Sequence, residues 1–502
     1  MTNLKQLLHH IEVIQTRGNA PESIENIHFD SRKVQANDLF VAVKGTQADG
    51  HQYIGQAVAL GAKVVVCETF PKNLSDSATY IQVANSAKAL GWLASNYYDH
   101  PSKKLKLVGI TGTNGKTTTV TLLHQLFRKF GYRVGLLSTI QNYIDDTALP
   151  ARLTTPDPLE LNRLIAEMVK AGCTHCFMEV SSHAVVQERI AGLHFTGAAF
   201  TNISHDHLDF HETFANYINA KKQFFDQLPP TAFALINADD KRGMVMLQNT
   251  VAKTQRTFAL KQFADFKARV VESSLQGLFM EIDDVEVWFQ MIGYFNAYNL
   301  LGIYAIAVLL GEDTTETLTL LSGLQSVPGR FEKIIGESGA TGVVDYSHTP
   351  DALENVLQTI FELRQSGQKI ITVVGCGGNR DASKRPIMAQ IACQYSDVVI
   401  FTSDNPRNEP PMQILEDMQE GVSIDDEPKT SLIASRKDAI RKACELAQKQ
   451  DIILVAGKGH ETYQEIAGVR HPFDDRLVLK AFCSKIAHIS SSCCYYLNYP
   501  YL

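Results

Sequence analysis

At 502 residues the chain is longer than one hydrophobic core can serve, and about three domains are expected. With 54 acidic against 47 basic residues it is mildly acidic, and the lack of any basic run interleaved with aromatics argues against a nucleic-acid partner. No uninterrupted apolar run reaches about twenty residues, and the polar opening Met1-Thr2-Asn3-Leu4 lacks an apolar signal region, so a cytoplasmic protein without a membrane partner is expected.

From Met1 to about Lys104 the pattern is short strands and helices, with strands over Asp38–Val43 and Lys63–Val66 and a helix from Gly55 to Leu60 stopped by Gly61. Phe29-Asp30-Ser31-Arg32 reads as a turn. Pro101-Ser102-Lys103-Lys104 reads as a linker. The apolar run Leu105–Gly109 then predicts a buried strand, and Val120, Leu123, Phe127 and Phe130 recur at helical spacing up to Gly131.

Between that strand and helix lies Thr111-Gly112-Thr113-Asn114-Gly115-Lys116-Thr117-Thr118. Backbone N–H groups of such a loop can surround a polyphosphate, Lys116 can reach the terminal phosphates, and Thr117 can hold a magnesium ion. The loop is a variant, because Ile110 occupies the place of the usual first glycine.

Arg133–Ser138 reads as a second strand, which makes this segment an α/β unit with a parallel sheet. The hydroxyls of Thr154 and Thr155 are expected either to cap the helix Leu159–Lys170 or to face a ligand. Cys173 and Cys176 stand close together, but they run into an apolar strand and no second ligand pair follows, so zinc is not favoured. That strand ends in Glu179, at the carboxyl edge where open α/β sheets bind ligands, and so within reach of a metal on Thr117. Thr201–His211 packs three histidines and two aspartates into eleven residues, a density that favours a site near the nucleotide. Downstream, Lys221 and Lys222 lie in a helical segment that would ordinarily expose them.

Farther on, Ser326–Glu332 reads as a loop. The strands Gly342–Asp345, Ile370–Val374, Val398–Thr402 and Ile452–Val455, separated by helical patterns, predict a second doubly wound sheet. Polar clusters stand at the strand ends: Gly375–Asp381 with Lys384 and Arg385, then Asp404-Asn405-Pro406-Arg407, then Gly457-Lys458-Gly459-His460-Glu461. Such loops converge in space. Arg385 and Arg407 each offer a fork suited to a carboxylate, and Glu461 can accept from an ammonium.

The motifs Thr111–Thr117, Glu179-Val180-Ser181-Ser182-His183, Asp206-His207-Leu208-Asp209 and Tyr217-x-x-Ala220-Lys221 occur in the order and spacing of the Mur ligase family, which the chain resembles from about Asp30 to Arg476. These are ATP-dependent amino acid ligases of bacterial peptidoglycan synthesis. The resemblance implies an α/β fold in three parts: a uridine-diphosphate domain over 1–104, a central phosphate-loop ATPase domain with a mostly parallel sheet over 105–328, and a Rossmann-like amino-acid domain over 329–502. The tail from about 487 resembles nothing in the family.

The resemblance further implies that Glu179 and His207 ligate magnesium with Lys221, which would be N-carboxylated, since a carbamate oxygen suits a hard cation. It gives ATP the loop Gly112–Thr118 together with Asn296, Asn299, Arg330, Asp345 and His348. Ser31, Gln47, Ala48, Thr154, Thr155, Ser181, Gln187 and Arg189 match positions that hold the UDP-muramoyl peptide. Asp404-Asn405-Pro406-Arg407 is the tetrapeptide of the members that add meso-diaminopimelate, with Arg385, Gly457 and Glu461 completing that site. Relatives that add L-lysine carry another tetrapeptide. Binding lysine here would leave Arg407 without a carboxylate, a mismatch that can reject an analogue by roughly ten thousandfold.

A lysine-adding relative, a folylpolyglutamate synthase and a nucleotide-dependent switch are the competing readings. The Asp30-Ser31-Arg32 segment and the arginine tetrapeptide argue against the folate enzyme. The switch gives no reason for an arginine pocket, and a non-catalytic homologue would not be expected to keep Lys116, Glu179 and Lys221. A monomer acting on small-molecule substrates is expected.

Overall fold

The computed structural model describes residues 2–45, 48–336 and 339–483, so Gln47 and the tail lie outside the described residues. The chain divides into two compact units. One comprises Met1–Ile203, Phe210–Arg269 and Tyr298–Leu321, the other Ser204–Asp209, Val270–Ala297 and Ser322–Leu502.

Besides the short antiparallel pair Thr2–Asn3 with Ser23–Ile24, the first unit holds two larger sheets among the described residues. The smaller runs in the spatial order Val13–Arg17, Thr79–Val83, Val64–Cys67, Leu39–Val41, Ile27–His28, antiparallel only at its first pair. It has its own core yet clusters with the larger sheet. The helix Ser86–Tyr97 brings Gly91 against Ala191, and Ser95 Oγ donates to the Gly192 carbonyl at 2.9 Å.

In the larger sheet the parallel strands lie in the order Val134–Leu137, His175–Glu179, Lys106–Thr111, Gly197–Phe200, Phe233–Asn237, Thr254–Ala259, Phe266–Ser274. An antiparallel hairpin, Gln141–Ile144 with Thr147–Pro150, extends the near edge. Lys106–Thr111 is central and buried from Leu107 on, as a strand covered on both faces must be. The connection leaving it crosses to one side of the sheet, and that leaving His175–Glu179 crosses to the other. The carboxyl ends of these two strands therefore border the crevice where a doubly wound sheet takes its ligand. The helix Pro158–Lys170 is capped by Asp157, whose Oδ1 accepts from the N–H of Leu159 and Glu160; Thr154 and Thr155 are thus released from capping.

The second unit is built on a six-stranded sheet ordered Glu332–Ile335, Thr341–Asp345, Ile452–Ala456, Ile370–Val374, Val398–Phe401, Thr430–Leu432, parallel except for the first pair. The helices Pro350–Leu363, Lys384–Tyr395 and Pro411–Gln419 share one core cluster, and Arg436–Leu446 and Asp475–Cys483 share another. The hairpin Gly277–Ile282 with Val285–Phe289 belongs to this unit and was not legible in the sequence. The outer strand of that hairpin is largely solvent-exposed, and Glu286 interrupts its apolar residues.

Candidate active site

The variant glycine loop opens at Gly112. Gly109 and Ile110 lie inside the strand, and a side chain at Gly109 would strike Phe224, Phe195 and Val180, so this glycine serves packing. Gly115 starts the helix Lys116–Lys129 at φ +86°, and its missing Cβ leaves room for the Asn299 amide oxygen. Asn202 braces the loop from the next strand. Its carbonyl accepts from Thr113 N–H at 2.8 Å, its Oδ1 accepts from Asn114 N–H at 3.0 Å, and its Nδ2 donates to the Asn114 carbonyl at 3.1 Å. Thr118 is buried in the first helical turn.

Beside the loop, the fully buried Glu179 carboxylate accepts from Thr117 Oγ at 2.9 Å. Thr139, which sequence reasoning missed, holds the same group, donating through its N–H to Oε1 at 2.8 Å and through its hydroxyl at 3.2 Å from Oε2. The hydroxyls of Thr139 and Thr154 are 3.0 Å apart. Thr155 Oγ donates to the Glu179 carbonyl at 2.8 Å and accepts from Ser181 N–H at 3.2 Å. Arg189 donates to the Thr155 carbonyl at 2.8 Å and to Gln187 Oε1 at 2.5 Å. All five central positions expected to hold the muramoyl peptide thus form one connected group with Glu179.

Lys221 is buried rather than exposed. Its ammonium donates to the Gly112 carbonyl at 2.8 Å and lies 4.5 Å from the Tyr217 ring centroid, while Tyr217 OH meets Thr113 Oγ at 3.0 Å. Lys116 donates to the carbonyls of Gly112 and Thr113, each at 2.8 Å. Thr117 and Glu179 offer the hard oxygen donors that a magnesium ion prefers, and Glu179 already sits on the Thr117 hydroxyl, so these two residues fit the ion.

His207 lies in the Ser204–Asp209 segment of the second unit. Its φ is +55°, its N–H donates to Asp206 Oδ1 at 2.8 Å, and its ring is 3.4 Å from Asp206 Oδ2. Asn296 donates to the Ile292 carbonyl at 2.8 Å, and Ile292 lines a cavity of about 300 Å³ with Phe331 and Lys333. Asp345 accepts from the N–H groups of Phe331 and Ser347, each at 2.7 Å. Burial pushes its carboxyl up against the pull of Arg330. Arg330 stacks 4.5 Å from the Tyr346 ring centroid. The His348 ring centroid lies 4.6 Å from that of the same tyrosine, and its imidazole is held down by burial and by Lys384.

The three strand-end clusters do converge. Asn405 Nδ2 donates to Glu461 Oε2 at 2.8 Å, and Arg407 donates to the Gly378 carbonyl at 2.7 Å. The Pro406 carbonyl packs on Gly378, and Asp404 Oδ2 fills the place of a Cβ at Gly457, whose φ is +113°. Arg385 is 3% exposed and donates to Glu409 at 2.7 Å, to Asp417 at 2.6 Å and to the Gly377 carbonyl of the first strand-end cluster at 3.4 Å. At the other end of the chain, Ser31 Oγ donates to Gln56 Oε1 at 3.0 Å, the Ala48 carbonyl accepts from Gly45 N–H at 3.0 Å, and Arg32 holds the Asp30 carboxyl down to about 2.

The chain is similar to known proteins along nearly its whole length. The Mur ligase middle domain model matches residues 110–308, the Mur ligase glutamate ligase domain model 329–459, and the Mur ligase family catalytic domain model 23–98. The UDP-N-acetylmuramoyl-L-alanyl-D-glutamate–2,6-diaminopimelate ligase of Cytophaga hutchinsonii is 59% identical over 478 residues, covering 95% of this chain and 98% of that one. The protein of the same name from Bacteroides fragilis is 53% identical over 481 residues, covering 96% and 99%. A solved structure of a UDP-N-acetylmuramoyl-L-alanyl-D-glutamate–2,6-diaminopimelate ligase matches with a TM-score of 0.68 at 32% identity, covering 96% of this chain and 99% of that one. The MurF ligase of Thermotoga maritima, solved in complex with ADP, shares the fold at 20% identity and a TM-score of 0.59, covering 91% and 98%.

Proposed function

Because the chain belongs to the Mur ligase family, we propose that it is an ATP-dependent amide ligase joining meso-diaminopimelate to UDP-N-acetylmuramoyl-L-alanyl-D-glutamate in peptidoglycan precursor synthesis. The observation that carries the substrate reading is the Asn405–Glu461 hydrogen bond, which draws the arginine tetrapeptide and the Gly457–Glu461 loop into one polar site.

An amine and a carboxylate do not condense at neutral pH without activation. The D-glutamate γ-carboxylate attacks the terminal phosphorus of ATP, an O–P bond forms, the bond to the leaving ADP breaks, and an acyl phosphate results. Lys116 leaves the Gly112 and Thr113 carbonyls to neutralise the moving phosphoryl group, and the loop N–H groups hold the remaining phosphates. Thr117 and Glu179, with His207 and a carbamate on Lys221, would hold magnesium, which supplies charge neutralisation on the phosphates. The Thr154–Arg189 group positions the peptide carboxylate. A deprotonated amine of diaminopimelate then attacks the acyl carbon, the C–O bond to phosphate breaks, and the amine proton is lost to solvent. No covalent protein intermediate is needed. Glu461 accepts from an ammonium of the diamino acid, and Arg407 pairs with its distal carboxylate. The enzyme acts as a monomer in the cytoplasm.

Phosphate release from ATP with the nucleotide-peptide present tests this reading, with meso-diaminopimelate, L-lysine or no amine as acceptor. Release with diaminopimelate alone is expected. Release with lysine would keep the ligase and overturn the acceptor, and release indifferent to amine would favour a nucleotide switch.

A further inference from the structure

Lys458 is wholly buried between the two loops that carry the acceptor site, a costly place for an ammonium unless it is paired. Its Nζ donates to Glu461 Oε2 at 2.6 Å and to Asn405 Oδ1 at 3.0 Å, and stands 3.9 Å from Asp404 Oδ1. Asn405 is occupied at both ends of its amide, since Oδ1 also accepts from Glu465 N–H at 2.9 Å and Nδ2 donates to Glu461 Oε2 at 2.8 Å. One oxygen of Glu461 is therefore held twice from within, by an ammonium and by an amide. Oε1 takes neither of those bonds, and the side chain is 15% exposed.

Resting on the ligase reading above, we propose that Lys458 is a positioning residue for the choice of acceptor. It turns Glu461 Oε2 inward and offers Oε1 to one ammonium of the diamino acid. The same ammonium offsets one of the two carboxylates, Asp404 and Glu461, that line the site, leaving a single negative charge to meet the incoming cation. A planar carboxylate fixed at one oxygen presents the other in one direction, so the acceptor is oriented as well as held. Without Lys458 the Glu461 Oε2 keeps only the weaker hold of the Asn405 amide, so the carboxylate is less firmly fixed, while the Asn405 amide stays oriented by the Glu465 N–H.

The test is steady-state phosphate release by the full chain for wild type, Lys458→Met, Glu461→Gln and the double variant. If Lys458 acts through Glu461, Lys458→Met raises KM for meso-diaminopimelate about tenfold, with KM for ATP and the nucleotide-peptide within about twofold. The double variant is then no worse than Glu461→Gln alone. A parallel rise in all three KM values, an unchanged KM for diaminopimelate, or additive losses in the double variant would overturn the proposal. Lys458→Gln, which keeps a donor in place, should fall between wild type and methionine and carries the same non-additivity test should the methionine protein fail to fold. Wild-type turnover with diaminopimelate is measured first, because its absence would sink the ligase reading itself rather than the role of Lys458.

Discussion

Lys116 and Lys221 donate to one atom, the carbonyl oxygen of Gly112, which lies 2.8 Å from each ammonium. Two like charges on one acceptor repel, so the arrangement favours whatever removes one of them. Polyphosphate draws Lys116 away, and carboxylation converts Lys221 from cation to anion. Lys221→Ala is expected to lower turnover at least about a hundredfold, with partial recovery in short-chain carboxylic acids that occupy the place of the carbamate. Full rate in the alanine variant would remove the carbamate from the mechanism.

Thr139 grips both oxygens of Glu179, which sequence reasoning assigned to the metal without this partner. Thr139→Val keeps the backbone N–H bond and loses the hydroxyl. It should raise the magnesium concentration needed for half-maximal rate and for nucleotide-dependent thermal stabilisation by about threefold to tenfold, leaving stability without ligand little changed. A wild-type metal dependence would show that Thr117 and the Thr139 N–H suffice to orient the carboxylate.

Arg407 has left-handed backbone at φ +52°, pinned by its N–H on the Glu465 carbonyl at 3.0 Å and by Ala467 N–H on its own carbonyl. Alanine there keeps the strain, whereas glycine relieves it. Arg407→Gly should therefore be at least as stable as Arg407→Ala, while both raise KM for diaminopimelate about tenfold or more and spare the other two substrates. If glycine restored the KM, the arginine would matter for shape and not for charge.

The strand, loop and helix around Lys116 were legible because phosphate binding demands glycines and a lysine at fixed spacing, and the link from Thr117 to Glu179 followed from two neighbouring strand ends. Arg385 was not legible in the same way. Its type suits a substrate carboxylate, but Glu409 and Asp417, which claim it, are distant in sequence and carry no pattern. Asn202 and Lys458 stand inside motifs the sequence singles out, but their bracing roles were not legible for a similar reason. A brace is defined by its tertiary partners, and neither residue sits in a spacing that a ligand would impose.

The wholly buried pair Arg436–Asp475, at 2.8 and 2.7 Å, ties the helix Arg436–Leu446 to the helix Asp475–Cys483, and Arg436 also donates to the Ala456 carbonyl at 2.9 Å. Arg436→Met leaves a buried carboxylate without its cation and should cost about 3–5 kcal/mol, read from denaturant unfolding. Arg436→Met with Asp475→Leu should recover much of that loss. A double variant as unstable as the single would place the stabilisation in the Ala456 contact instead.

His124 and His175 are both buried, each with an Nε2 that lacks a hydrogen-bond partner among the described residues, and burial holds both imidazoles down to about 4. The unfolded chain titrates them near about 6.5. Above that value both states are neutral and nothing changes with pH. As pH falls below it, the unfolded chain binds protons that the native one refuses, so stability drops until the native groups themselves titrate near 4. At pH ~5 each histidine then costs about 2 kcal/mol relative to pH ~7.5. His175 lies 4.8 Å from Phe127 and 4.7 Å from Tyr132, ring to ring, so phenylalanine keeps the packing and removes the titration. His175→Phe should narrow the gap between unfolding midpoints at the two pH values, and a gap as wide as in wild type would assign the acid sensitivity to other groups.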